Sequence, residues 1–500
     1  MISLFFSFLI FISQTGYPQT DREMYSEKHR PQIHFSPQKG WMNDPNGMVY
    51  FNGKYHLFFQ HNPNSSVWGP MHWGHAISTD LVHWKELPIA LYPDALGTIF
   101  SGSAVIDKEN TAGFGENAMI AIYTNHSHEL EKEGFEKIET QGIAYSLDEG
   151  TTWTKYKGNP VIANPGIRDF RDPKVFWYQP GNKWIMSLAT KDRITFYSSP
   201  DLKNWMKESE FGENSGAHGG VWECPDLFPL SYGDETVWVL IVNINPGGPN
   251  GGSGTQYFTG SFDGHEFVSN DTLTKWIDYG PDNYAGITWS NTGDRKLFIG
   301  WMSNWSYANI VPTTQWRSTN TIVRELDLIK SNNRFFVRSV PVKETDALIL
   351  KSFSEKNLFT KNASITKKTN KLTGPASLQL TLNNPDDFHI TLFNTKDEKL
   401  IVGYNKTGNH FYIDRSLSGD TQFSDHFKKK IIASRIASEK NMNLSLLIDE
   451  TSIEVFADNG LSLMSAIFFP SVPYSDLTIS SEKKLRIKDL TLDHLERIWK

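Results

Sequence analysis

The 500-residue chain contains a single cysteine, Cys224. One thiol closes no internal disulfide and supplies no cysteine cage for zinc or iron–sulfur clusters, so neither organises the fold. Positive charge is also short, with 49 Lys and Arg against 56 Asp and Glu and a formal net charge of −7. No broad positive field is available to follow a phosphate backbone, which excludes nucleic acid as the expected partner. Long apolar runs are missing too, and the run at the N-terminus, Ile2 to Ile12, is too short to span a bilayer. It is followed by polar Ser13, Gln14 and Thr15 and by the turn residues Gly16 and Pro18. It therefore reads as the core of a signal peptide over residues 1–20, although no Lys or Arg precedes it. The expectation is an exported protein, periplasmic or extracellular, with no membrane span and no cysteine-borne lipid anchor.

What remains is the composition of a soluble globular chain, 39% hydrophobic and 21% charged, long enough for two or three domains. Aromatics are abundant, at 16 Trp, 18 Tyr and 32 Phe. Their flat apolar faces suit sugar rings as well as cores. From about Gln32 to Arg338 short apolar runs such as 54–60, 118–123, 183–187 and 237–242 alternate with Gly, Asn, Asp and Pro turns, an all-β pattern. A weak repeat overlies them. Ser78-x-Asp80, Ser146-x-Asp148, Ser199-x-Asp201 and Ser261-x-Asp263 are each followed by an aromatic residue, Trp84, Trp153, Trp205 and Phe267. The spacing is near that of a four-stranded blade, so the expected fold is a five-bladed β-propeller over residues 28–338. In each repeat the Asp is expected to bond turn amides while the ring packs between blades. Past Pro341 Trp is absent until Trp499 and lysine becomes frequent, which places a boundary near residues 336 to 348. Alternating strands and the hairpin turn Asp458-Asn459-Gly460 then predict a C-terminal β-sandwich over 346–500.

Three acids occupy unusual contexts: Asp44 before Pro45, Asp172 before Pro173, and Glu223 between Trp222 and Cys224. If each begins the innermost strand of a blade, all three point into the axial funnel. Two carboxylates facing across a sugar, one ionised and one protonated, are what glycoside hydrolysis requires.

The segments Trp41-Met-Asn-Asp-Pro-Asn-Gly47, Phe100-Ser-Gly-Ser103, Arg171-Asp-Pro173 and Glu223-Cys224 resemble, in order and spacing, the motif series of the invertase, inulinase and levanase family, glycoside hydrolase family 32. The stretch from Asn245 to Phe258, with its glycines, resembles that of exo-inulinases and levanases. Asp414-Arg415 and Ser452-Ile-Glu-Val-Phe456 resemble the family's sandwich. The resemblance implies a retaining hydrolase with Asp44 as nucleophile, Glu223 as general acid/base and Asp172 as stabiliser of the cationic transition state. It further implies a fructose pocket built from Asn43, Gln60, Trp68, Phe100, Ser101 and Trp305. Arg171 would serve as sugar clamp or as charge partner of Asp172. Asp278 and Tyr284 match a family stretch at the funnel, and Cys224 reads as a neighbour of the acid rather than a nucleophile.

His72, His75 and His83 are spaced for packing rather than for zinc, and the glycine-rich Gly247 to Gly254 lacks the context of a nucleotide site and reads as a flexible loop. The expected activity is exo-release of terminal fructose from β-fructans, levan or inulin, with sucrose as a lesser substrate and no metal or organic cofactor. Two readings stay open beside it: an inverting five-bladed hydrolase of the arabinanase type and a non-catalytic fructan-binding protein.

Overall fold

A computed structural model describes residues 25–369 and 371–499, so the apolar run and expected signal peptide lie outside the described residues. Five antiparallel sheets follow one another along the chain. The first strands of the blades, which pack side by side around one axis, are Gly40–Phe51, Thr98–Asp107, Phe170–Tyr178, Val221–Tyr232 and Tyr284–Thr288. Each apolar run singled out in the sequence becomes the second strand of its blade: Lys54–Asn62, Ala118–His126, Lys183–Thr190 and Glu235–Asn245. Neighbouring blades cover both faces of these strands, so they show continuous burial rather than alternation. The ring closes where Trp316–Arg317 pairs in parallel with Gly40–Trp41.

The Ser-x-Asp repeat has the predicted physics. The Asp80 carboxylate accepts the amides of Val82 and His83 at 3.0 and 2.8 Å, and Asp201 accepts those of Lys203 and Asn204 at 3.0 and 2.8 Å. Each aromatic residue then enters a different seam, packing against the blade before its own. Trp84 joins blades one and five beside Phe35 and Trp289, Trp153 joins one and two, Trp205 two and three, and Phe267 three and four. The seam between blades four and five has no such motif and is filled by Phe228, Phe298 and Phe335.

The C-terminal strands form a β-sandwich around Leu378, Ile390, Phe411, Ile453 and Ile479. The long strand Asp476–Leu495 runs through both layers, pairing with Phe388–Phe393 near its start and with Ala376–Leu382 further on. The Asp458-Asn459-Gly460 turn joins Ser452–Ala457 to Ser462–Ile467, with all three residues in the left-handed region that this sequence favours.

Sandwich and propeller meet through buried charge. Arg324 of blade five reaches Asp278 at 3.0 Å and pairs with Glu454 of the sandwich, and Ser465 Oγ donates to Asp278 at 2.7 Å. Arg415 of the sandwich holds Asp282 at 2.6 Å. His34, which precedes blade one, lies between Asp449 at 2.7 Å and Glu454 at 2.9 Å. Asp278 is thus an interface residue and not a funnel residue, which corrects the sequence reading.

Burial alone would depress the His34 imidazolium, but the two carboxylates outweigh it and push its pKa up from 6.5 to about 9. A histidine with a raised folded pKa stabilises fully below its unfolded value, and the contribution fades as pH rises through about 9. His34→Gln is expected to cost about 3 kcal/mol near pH 6, a deficit that narrows between about pH 6.5 and 9. Urea unfolding of both proteins across that range checks it, and a gap that does not change with pH would reject the charged pairing.

Candidate active site

All five inner strands break register at the same level of the funnel. The slips lie between Met42 and Pro45, Ile99 and Gly102, Arg171 and Lys174, Glu223 and Asp226, and Tyr284 and Ile287. Pro173 and Pro225 sit inside two of them, and Pro45 is the first residue to pair again after a third. A proline has no N–H for the ladder, so within a sheet it belongs at a bulge, and a bulge re-aims the side chains beside it. Asp172, Cys224 and Ala285 take φ of +64°, +43° and +51°, a backbone cost that the surrounding blades hold in place.

The re-aimed side chains bond across blades. Ser101 of blade two donates to Asp44 Oδ2 of blade one at 2.6 Å, and Asn43 Nδ2 donates to Asp44 Oδ1 at 2.8 Å. Cys224 of blade four donates its backbone N–H to Asp172 Oδ2 of blade three at 2.9 Å. Its sulfur lies 3.5 Å from that oxygen and 3.6 Å from Asp44 Oδ2. Arg171 Nη1 lies 3.2 Å from Glu223 Oε1, and the Tyr284 hydroxyl of blade five donates to Glu223 Oε2. Asp44, Asp172 and Glu223, separated by 128 and 51 residues in the chain, therefore share one cluster.

Charge in this cluster is underpaired. Burial raises the pKa of Asp44, against the lowering bonds of Ser101 and Asn43. Burial also raises Glu223, with Arg171 and the Tyr284 hydroxyl opposing it. Asp172 is driven well above the usual carboxylate range, first by burial and then by Glu223 and Asp44. Cys224 is likewise pushed well up, by burial and then by Asp172 and Asp44, which keeps it a thiol.

The pocket residues fall into two groups. Asn43 and Ser101 are committed to Asp44, with Asn43 Oδ1 also accepting Trp41 Nε1 at 2.7 Å. Gln60 is buried with no protein partner for Nε2, leaving a donor available. Phe100 stands edge-on to the exposed Trp68 with ring centroids 6.3 Å apart, and Trp305 stacks on Trp41 at 5.8 Å. Arg171 contacts Glu223, Glu139 and Asp169, so its carboxylate partner in the cluster is Glu223 and not Asp172. The glycine-rich segment is wedged in place. Ser253 Oγ accepts the Trp305 N–H at 3.2 Å, and a Cβ on Gly252 would lie 2.1 Å from Asn304 Oδ1. It supports Trp305, contrary to the flexible loop expected.

Other residues here carry no signal in the sequence. Glu139 accepts the Phe170 N–H at 2.7 Å and pairs with Arg171, while Thr124 Oγ1 receives the Asp172 N–H at 3.0 Å. Lys174 lines a small cavity under Asp172 and Cys224 and also one of about 900 Å³ at the opposite mouth of the propeller. It pairs with Asp226 at 3.3 Å. His75 bonds His56 and His83 bonds Asp80, so the three histidines noted in the sequence do not converge.

The sequence comparisons agree with this geometry. The glycosyl hydrolases family 32 N-terminal domain matches residues 34–339, and the family's C-terminal domain matches residues 344–494. A levanase of Bacillus subtilis is 44% identical over 500 residues, covering 96% of this chain and 72% of that protein. The extracellular exo-inulinase inuE of Aspergillus niger is 40% identical over 490 residues, covering 89% of this chain and 90% of that protein. The crystal structure of an exo-inulinase from Aspergillus awamori superposes with a TM-score of 0.87 at 34% identity, covering 95% of this chain and all of that one. A three-acid cluster on bulged propeller strands, both family domains and these relatives place the chain in glycosyl hydrolases family 32, and it is a glycosidase.

Proposed function

We propose that the protein is an exported, retaining exo-β-fructosidase that releases terminal fructose from levan or inulin, and from sucrose as a lesser substrate. The observation that carries this reading is the convergence of Asp44, Asp172 and Glu223 in one funnel, each held by a different set of donors. Export rests on the apolar run at residues 2–12 and on the relatives that are named extracellular.

Asp44 is the nucleophile. Ser101 and Asn43 occupy one oxygen each and hold the carboxylate in a single orientation towards the anomeric carbon. Glu223 is the acid in the first step. Its proton passes to the leaving glycosidic oxygen as the C–O bond breaks and the Asp44–fructosyl ester forms. Arg171 and Tyr284 stabilise the Glu223 carboxylate so produced, a gain realised only as the reaction proceeds. In the second step Glu223 takes a proton from water, which attacks the ester and frees Asp44 with configuration retained. Asp172 stabilises the oxocarbenium-like transition state, with the Cys224 amide and the ring hydroxyls of bound fructose as donors to its carboxylate. Trp68, Phe100 and Trp305 wall the fructosyl unit, and Gln60 offers it an amide.

Incubation with levan, inulin and sucrose in turn is expected to yield fructose alone from the earliest minutes by chromatography. A ladder of oligosaccharides would make the enzyme endo-acting, and an inverted first anomer would place it with the arabinanase-type mechanism. Asp44→Asn is expected to lower kcat by roughly 10⁴-fold or more while fructan binding persists, and near-normal turnover would exclude Asp44 as nucleophile. Iodoacetamide is expected to leave Cys224 unmodified in the folded enzyme and to label it after unfolding, as mass spectrometry would read. Rapid labelling with loss of turnover in the native state would contradict a buried, protonated thiol.

A further inference from the structure

Beside the funnel, the second strand of blade two ends at His126 and runs into a short helix, His128–Lys132, capped by Ser127. His126 Nε2 lies 3.2 Å from Glu131 Oε2, and His128 Nδ1 lies 3.6 Å from the same oxygen. All three atoms fall within 4.8 Å of one another. Ligand atoms about 2.0–2.2 Å from a tetrahedral zinc stand about 3.3–3.5 Å apart, so the two closer separations bracket what such an ion imposes.

The surroundings match those of a metal centre. His126 is stacked on Phe100 with ring centroids 4.2 Å apart, and its Nδ1 meets Glu139 Oε1 at 3.1 Å. The Glu139 carboxylate stands behind the imidazole on its Nδ1 side, the usual support of a metal-bound histidine, while Nε2 faces Glu131. Arg168 holds the other oxygen of Glu131 at 3.1 Å, leaving Oε2 to face the imidazoles. His128 and Glu131 are partly exposed, which leaves a fourth position open to water. Two imidazoles and one carboxylate select a zinc-class divalent transition ion over calcium or magnesium.

We propose that His126, His128 and Glu131 form an inhibitory transition-metal site on the funnel rim, separate from the catalytic acids. Glu139 links it to them, since it contacts His126 on one side and Arg171 on the other, and Arg171 contacts Glu223. A dication here favours the ionised form of Glu223, so less of the enzyme carries the proton that the first step needs. The inhibition rests on the reading of Glu223 as general acid; the binding does not.

Calorimetry of the whole enzyme with zinc chloride is expected to give one ion per chain, with affinity weakened by at least about tenfold in both His128→Ala and Glu131→Gln. Cys224→Ser is expected to bind zinc as the parent does, and fructose release should fall at least twofold as the site fills. The proposal is overturned by an absence of binding at millimolar zinc, by binding indifferent to both rim substitutions, by binding lost only in Cys224→Ser, or by unchanged turnover at full occupancy. Failure of the glycosidase reading looks different, because the zinc-free enzyme would then release no fructose.

Discussion

The funnel depends on one backbone device, a break in the ladder at the same height of every inner strand. A regular strand sends successive side chains to opposite faces of its blade, into the seams between blades. Only where the register slips can Asp44, Ser101, Asp172, Glu223 and Tyr284 leave those seams and meet at the axis. The prolines after Asp44, Asp172 and Cys224 favour the slip in three of the five blades, because a residue without an N–H cannot donate to the ladder. The Asp-Pro pairs are therefore architectural and chemical at once: the proline breaks the strand and the acid uses the break.

The same chain buries charge in a second place with the opposite outcome. At the interface between propeller and sandwich, carboxylates meet cations: Glu454 has His34 and Arg324, Asp282 has Arg415, and Asp278 has Arg324. Burial works against the Glu454 carboxylate, yet Arg324 and then His34 bring its pKa below normal. In the funnel three acids are served by Arg171, a thiol and a few hydroxyls, and all three rise. Balanced burial orients the domains at the cost of desolvation, and underpaired burial raises the funnel carboxylates above their ordinary range.

Much of this was legible because it is local. The Ser-x-Asp turns predicted both the amide bonds and the seam aromatics, since a turn and the ring beside it are set by a few neighbouring residues. The fifth seam escaped the count because Phe335 fills it without the turn motif. Asp278 was misplaced for a different reason. It sits in a family stretch next to Tyr284, and nothing local reveals that it turns towards Ser465 and Arg324 while Tyr284 turns towards Glu223.

The sequence by itself determined the all-β class and the blade count, and it singled out three acids that the structure brings together, because hydrophobic runs and turn chemistry act over a few residues. Tertiary structure alone decided who partners whom. Arg171 chose Glu223 over its neighbour Asp172, the glycine-rich segment became a support for Trp305, and Glu139 of blade two came to lie against Arg171. Those choices are set by distances between strands that lie far apart in the chain, and no local pattern encodes them.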